Sequence, residues 1–265
     1  MMFQYVKLLL YSIFLSCKVY AIPLEDSGDA LNLFGLEGLS ENYAIGATFI
    51  EGDIAVPLKA GRAVYIRSPK WPNGIVPFDI HASYTNDQKS VIRGAMSEIM
   101  KSTNNCIRFV ERNSSTSVWL RIIPSRGCWS YMGRAKSSGP QDLSLQPTGC
   151  VYHQVALHEL MHALGFIHEQ TRPDRNQYVR IQTENIQSGN EHNFNIFPST
   201  SVSTLNRPYD YGSIMHYRSD AFSSNGLPTI KVITDTDKDW ESKMGRGMNL
   251  SDQDVEKLKA YYSCS

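Results

Sequence analysis

The stretch His158-Glu159-Leu160-Met161-His162-Ala163-Leu164-Gly165-Phe166-Ile167-His168 decides how this chain is read. On a helix, residues four apart share a face, so His158 and His162 present two imidazoles to one point. Neutral imidazole is a good zinc ligand, and two from one turn of helix form a rigid half-site. Glu159 lies one residue along, where its carboxylate flanks the ion and can hold and deprotonate a water. Gly165 can take the left-handed conformation that turns the chain off the helix, and His168 then returns as a third ligand. The chain has only 7 His, and three of them at ligand spacing, with Glu and Gly in the slots this chemistry requires, are far from a chance set of surface histidines. The spacing predicts a hydrolase site holding one zinc ion.

The rest of the sequence bounds the setting. Lys and Arg number 26 against 26 Asp and Glu, without the basic excess of a nucleic-acid binder. Hydrophobic content of 42% with 20% charge describes a globular chain rather than a disordered one. Lys7, the apolar run Leu8 to Leu15 and the small Ala21 make residues 1–21 a secretory signal peptide. No later run is long enough to span a bilayer, so the expectation is a secreted protein with no membrane anchor. Cys17 leaves with the signal, and Cys106, Cys128, Cys150 and Cys264 remain. An even number suits an oxidising compartment, although spacing leaves all three pairings open. Asn113-Ser114-Ser115 and Asn249-Leu250-Ser251 match the N-glycosylation acceptor pattern.

Residues 22–62 carry seven acidic side chains against Lys59 and Arg62, contain no cysteine and show little periodicity. They read as a pro-segment or flexible arm that can lie across the remainder. Residues 63–265 read as one domain. Trp71-Pro72-Asn73-Gly74 signals a turn and Ile75 to Ile80 a strand. Thr85 or Asn86 caps a helix through Ser102, with Val91, Ile92, Ala95, Met96, Ile99 and Met100 on its apolar side. Ile107–Val110 and Val118–Ile123 are strands, Cys150–Leu164 is a helix, and Ser251-Asp252-Gln253-Asp254 opens a last helix through Tyr262. Thr171 to Leu250 is turn-rich and mostly irregular. The fold class is α+β.

The eleven-residue motif, followed downstream by Ser213-Ile214-Met215-His216-Tyr217, has the metzincin pattern. The continuation Phe166-Ile167-His168-Glu169-Gln170-Thr171-Arg172-Pro173-Asp174-Arg175 resembles the astacin family. So do Trp71-Pro72-Asn73-Gly74, Gly127-Cys128-Trp129-Ser130 and the Tyr261 to Cys264 ending. The resemblance implies a two-lobed zinc endopeptidase, its N-terminal lobe holding a twisted sheet and the site helix, its C-terminal lobe mostly irregular. It makes His158, His162 and His168 the zinc ligands, Glu159 the general base, and Tyr217 a swinging fifth ligand that stabilises the oxyanion. Met215 becomes an apolar floor under the metal. The family's pairing would join Cys106 to Cys264 and Cys128 to Cys150. Glu169 would receive the new N-terminal ammonium once the pro-segment is cut.

The same resemblance assigns latency to Asp53, whose carboxylate would replace the catalytic water on zinc. The family's motif is Phe-x-Gly-Asp; here Phe49 stands one residue early and Ile50 occupies its place. A trypsin-like protease cutting after Arg62 would leave Ala63 as the new N-terminus. Asn176 stands where the family often has Asp and bears on local loop packing only. The partners are protein or peptide substrates, lying extended in the cleft and adding as a strand to the sheet edge, and the monomer is favoured. His81, His153 and His192 read as structural or exposed, and His216 as a support for the turn. Arg207 reads equally as lining the substrate pocket or as a solvated loop residue.

Overall fold

The structure, a computed structural model, describes residues 47–57, 69–233 and 239–264. The expected signal peptide, most of the acidic arm and the expected Arg62–Ala63 boundary lie outside the described residues. Two helices pack on one seven-stranded sheet. Strand β3 (Ile75–Ile80) follows the turn at Trp71, and helix α1 (Asn86–Ser102) starts at a Thr85–Gln88 capping box. Strands β4 (Arg108–Glu111), β5 (Val118–Ile123), β6 (Cys128–Tyr131) and β7 (Gly139–Leu145) lead to helix α2 (His153–Leu164). Ahead of them, β1 (Ala47–Ile50) and β2 (Ile54–Pro57) form a hairpin from the acidic arm. The sheet order is β1-β2-β6-β7-β5-β3-β4.

Pairing is parallel from β7 through β5 and β3 to β4, antiparallel between β6 and β7, and parallel between β2 and β6. The main core lies between this sheet and the helices. Ile92, Ala95, Met96 and Ile99 of α1 meet Val76, Leu120, Ile122 and Leu143 of the strands and Leu157, Leu160 and Leu164 of α2. Each large side chain so buried contributes about 1.5–3 kcal/mol. Trp71 is buried too, and its Nε1 donates to the carbonyl of Ala163 at 2.8 Å. Its turn needs glycine at position 74, where φ is +66° and a Cβ would run into the carbonyl oxygen of Cys106.

Helix α2 is buried along eleven of its twelve residues. It starts at His153, three residues later than the spacing predicts, because Cys150 is held in a turn and bonded to Cys128 on β6. A second disulfide joins Cys106 to Cys264, fixing the last helix to the end of α1. The C-terminal lobe carries a two-stranded sheet, β8 (Val179–Ile181) with β9 (Ile230–Val232), and the short helix α3 (Trp240–Lys243). Its own core gathers Phe194, Tyr209, Tyr211, Tyr217, Phe222 and Met244. Helix α4 (Asp252–Tyr262), opened by a Ser251–Asp254 capping box, returns to pack Leu258 into the main core.

The described part of the stretch that composition reads as a pro-segment or flexible arm is therefore ordered structure. Its hairpin turns at Glu51 and Gly52, both at positive φ, and is held by packing the sequence pattern does not display. Phe49 meets Trp129 edge-on, with ring centroids 5.9 Å apart, and Ala55, Trp129 and Tyr131 form a small core of their own.

Candidate active site

Helix α2 delivers His158 and His162 one turn apart, as the spacing predicts. Gly165 then ends the helix at φ +108°, where a Cβ would press on the Tyr261 ring at 3.0 Å. The chain doubles back and brings His168 in. The Nε2 atoms of His162 and His168 each lie 3.1 Å from that of His158. Asp53, from the hairpin turn, joins them: its Oδ2 is 3.2 Å from His158 Nε2 and 3.4 Å from His168 Nε2, and its Oδ1 is 3.3 Å from His162 Nε2. One ligand atom from each of these four buried residues falls within 4.8 Å of all the others.

Each ring is oriented from behind. His158 Nδ1 donates to the carbonyl of Ile214 at 2.8 Å and His162 Nδ1 to that of Phe166 at 2.7 Å. His168 Nδ1 instead meets the carboxylate of Glu51 at 2.8 Å. With the Nδ1 protons so used, the three Nε2 lone pairs converge on one point, which calls for a cation rather than for mutual hydrogen bonds. Burial, with the neighbouring rings, lowers His158 to about 4. Burial would lower His168 as well, but Asp53 and Glu51 outweigh it and hold the group near 9. Three imidazoles and one carboxylate oxygen are a fitting donor set for zinc.

Glu159 is 2% exposed, and its Oε2 is buried with no hydrogen-bond partner. Burial first, and then the Asp53 charge, raises it well above the ordinary carboxylate range. A carboxylate so placed accepts a proton readily, as a general base must. Tyr217 lies with its ring centroid 4.4 Å from that of His168, and its hydroxyl donates to the backbone carbonyl of Glu51. Its backbone is fixed from two sides: the N–H donates to Gln170 Oε1 at 3.0 Å, and the carbonyl accepts from His216 Nδ1 at 2.6 Å. His216 Nε2 in turn accepts from the Tyr209 hydroxyl at 2.7 Å.

The turn that carries Met215 is tied to α4. Asp254 accepts from Ser213 Oγ at 2.6 Å and from the Ile214 N–H at 2.9 Å, and Ser213 Oγ accepts from the Met215 N–H at 3.0 Å. Met215 is buried in the main core, and its carbonyl takes the Glu169 N–H. The Glu169 side chain is already engaged, accepting from Lys257 Nζ at 2.7 Å, Arg172 Nη1 at 2.9 Å and the Asp210 N–H at 2.9 Å. It borders a cavity of about 110 Å³ together with Met132, Phe166, Arg172, Lys257 and Tyr261.

Other candidates stand apart from the cluster. His81 contacts Ser83, His153 pairs with Glu98 at 2.6 Å, and His192 is exposed. Arg207 pairs with Glu256 on α4 at 3.3 Å, both side chains about two-fifths exposed. Asn176 accepts from Arg175 within its own turn. Asn113 and Asn249 are exposed. Spacing does not point to Glu51, Lys257 or the Ile214 carbonyl, which reach the site from elements remote in sequence, nor to Gln170 and the Phe166 carbonyl, which lie beside the ligands but act through contacts the motif does not display. The Ser251–Asp254 capping box does mark Asp254, but only as a helix start.

Comparison with known proteins matches residues 64–263 to the model of the astacin peptidase family. The chain belongs to the astacin family. The hatching-enzyme zinc-protease High choriolytic enzyme 1 of the medaka Oryzias latipes superposes with a TM-score of 0.66 at 37% identity, over 78% of this chain and 99% of that one. Zinc metalloproteinase nas-13 of Caenorhabditis elegans is 36% identical over 91% of this chain and 51% of its own length. Blastula protease 10 of Paracentrotus lividus is 41% identical over 78% of this chain and 34% of its own. The chain thus spans about a third to a half of the curated relatives it matches first. Its α+β architecture and three-histidine cluster are those of an astacin domain.

Proposed function

We propose that this protein is a secreted zinc endopeptidase, made as a latent precursor, that hydrolyses internal bonds of extracellular proteins. The observation that carries the reading is the convergence of three buried imidazole Nε2 atoms beside Glu159, closed over by Asp53 of the hairpin. His158, His162 and His168 would hold the zinc ion. When bound, zinc supplies a Lewis acid beside the scissile carbonyl. Glu159 takes a proton from the attacking water and hands it to the leaving amine. Tyr217, released from the Glu51 carbonyl once the hairpin leaves, donates to the oxyanion of the tetrahedral intermediate.

Latency is supported by the hairpin's position. Strand β2 pairs with β6 through Ile54–Ser130 and Ala55–Tyr131, so it covers the sheet edge on which an extended substrate would lie. Its turn brings the Asp53 carboxylate to 3.2 Å from His158 Nε2, 3.3 Å from His162 Nε2 and 3.4 Å from His168 Nε2, where it would exclude the catalytic water. Two disulfides suit an oxidising compartment, and among the described residues no helix is long and apolar enough to cross a membrane.

The role of Glu169 is supported from the other end of the pro-segment. Pro69 accepts from the Arg134 N–H, and Lys70 lies over the Tyr261 ring that borders the Glu169 cavity. The six residues from Ala63 to Ser68 can span about 20 Å, the length available to bring an ammonium created after Arg62 toward this carboxylate. A trypsin-like protease would make that cut.

The test is cleavage of a diverse peptide library by protein processed at about Arg62, beside Glu159→Ala, a chelator control, and the uncut precursor with and without Asp53→Ala. Zinc-dependent cuts absent from the Glu159 variant are expected, with the uncut parent inert and the Asp53 variant active. A processed, zinc-loaded protein that makes no cuts would refute the endopeptidase. An Asp53→Ala precursor as inert as its parent would refute the latency device.

A further inference from the structure

We propose that Glu51 makes the hairpin a zinc-retention element as well as a plug, so that the precursor holds its metal more tightly than the processed enzyme does. The inference rests on the zinc reading of the cluster and adds a residue to it. Three imidazoles face the metal point, and each has a partner at Nδ1, but the partners differ in kind. His158 and His162 use the neutral carbonyls of Ile214 and Phe166, which belong to the catalytic domain and stay with it. His168 uses a carboxylate, and that carboxylate belongs to the segment that is cut away.

A carboxylate behind a ligating histidine fixes its tautomer and raises its basicity toward the ion. Glu51 is built into this position. Its Oε2 accepts from both the backbone N–H of His168, at 3.2 Å, and its Nδ1, at 2.8 Å. The side chain is 4% exposed, so its charge is little screened by solvent. The backbone of Glu51 is left-handed at φ +49°, and its carbonyl receives the Tyr217 hydroxyl. The Oε1 atom is buried without a hydrogen-bond partner, a costly arrangement for a carboxylate unless positive charge lies close by. Glu51, Asp53 and Glu159 are all at most 3% exposed, and a divalent cation at the cluster would offset two of the three charges they can carry. Asp53 adds a fourth donor to the three imidazoles, and four donors are the mark of closed, metal-retaining zinc sites. Loss of the hairpin removes both contributions in one event.

The experiment follows zinc rather than catalysis. Zinc-loaded full-length protein is mixed with excess chromophoric chelator and the first-order release of zinc is recorded. Glu51→Gln, Glu51→Ala, Asp53→Asn and the processed form are run alongside, with circular dichroism as the check on fold. Glu51→Gln keeps the shape and an acceptor oxygen but removes the charge. It should stay proteolytically inert yet release zinc about 10- to 100-fold faster, in line with the loss of an outer-shell partner. The processed form should release it at least as fast. Release from both Glu51 variants within twofold of the parent would overturn the proposal. So would a faster rate that only tracks protease activity regained through hairpin undocking, since Asp53 alone would then account for it. A full-length chain that binds no stoichiometric zinc would bring down the zinc reading with it. Failure of latency alone has a separate mark, an uncut parent that cleaves peptides, and leaves the release rates to decide on Glu51.

Discussion

Replacing Glu169 by Gln should destabilise the uncut chain, although the role proposed for this residue would begin only after a cut. Its Oε1 gathers the Lys257 ammonium, the Arg172 guanidinium and the Asp210 N–H, with the three charged side chains between 4 and 6% exposed. Arg172 keeps Asp174 as a second partner at 2.8 Å, so most of the loss falls on Lys257, left as a buried ammonium facing a neutral amide. Breaking a buried pair from one side costs about 3–5 kcal/mol. The adjoining 110 Å³ cavity admits water to Lys257 and sets the expectation at the lower end, about 3 kcal/mol. For a domain of this size that lowers Tm by about 6–12 °C, readable by calorimetry or by urea unfolding of precursor and variant. The double variant Glu169→Gln with Lys257→Met should recover most of the loss, since removing both charges of a buried pair is often nearly neutral. A single-variant loss under about 1 kcal/mol, or a double variant as unstable as the sum of its parts, would refute the pairing as a stability element.

Three further outcomes are expected. Glu159→Gln in the processed enzyme should keep zinc and fold while turnover drops about 10²- to 10⁴-fold, as for loss of a general base; near-parental kcat would take Glu159 out of the mechanism. Tyr217→Phe should lower kcat about 10²- to 10³-fold with little change in KM, and a KM effect alone would reassign it to ground-state binding. Asp254 is raised by burial from 3.8 to about 6, so between about pH 4 and pH 6 the folded chain binds the extra proton. This group's contribution to stability therefore falls by about 3 kcal/mol as pH rises through that window. Unfolding free energies measured from pH 4 to 7 should lose that slope in Asp254→Asn, and parallel curves would reject the assignment.

What could be seen in the sequence was what is local. Helices α1 and α4 announce themselves through Thr85–Gln88 and Ser251–Asp254, because a cap is made within four residues. His158, Glu159, His162 and His168 lie within eleven residues, so their convergence follows from helical spacing and one glycine. Strand β7 did not show, because Gln141 and Ser144 are fully buried within it. They donate to the carbonyls of Gly133 and Gly127, either side of the neighbouring strand β6, and no periodicity reveals such partners. The hairpin was hidden for the same reason: it is held by Trp129 and Tyr131, about 80 residues away. Asp53 and Tyr217 could be singled out only through the resemblance. The departure at Phe49 also acquires a physical reading, since that ring anchors the hairpin on Trp129.

Strand β6 has a partner on each side only while the hairpin is in place. The Ser130 N–H then donates to the Asp53 carbonyl, with β7 on the far side. Once β2 departs, a row of backbone donors and acceptors is left open at the edge of a seven-strand sheet reduced to five. An open edge pairs with any extended chain, another copy of the enzyme included. On the proposed latent-precursor reading, the uncut chain would also be the storage form, concentrated without adhering to its own kind, and the processed protein would be best kept dilute.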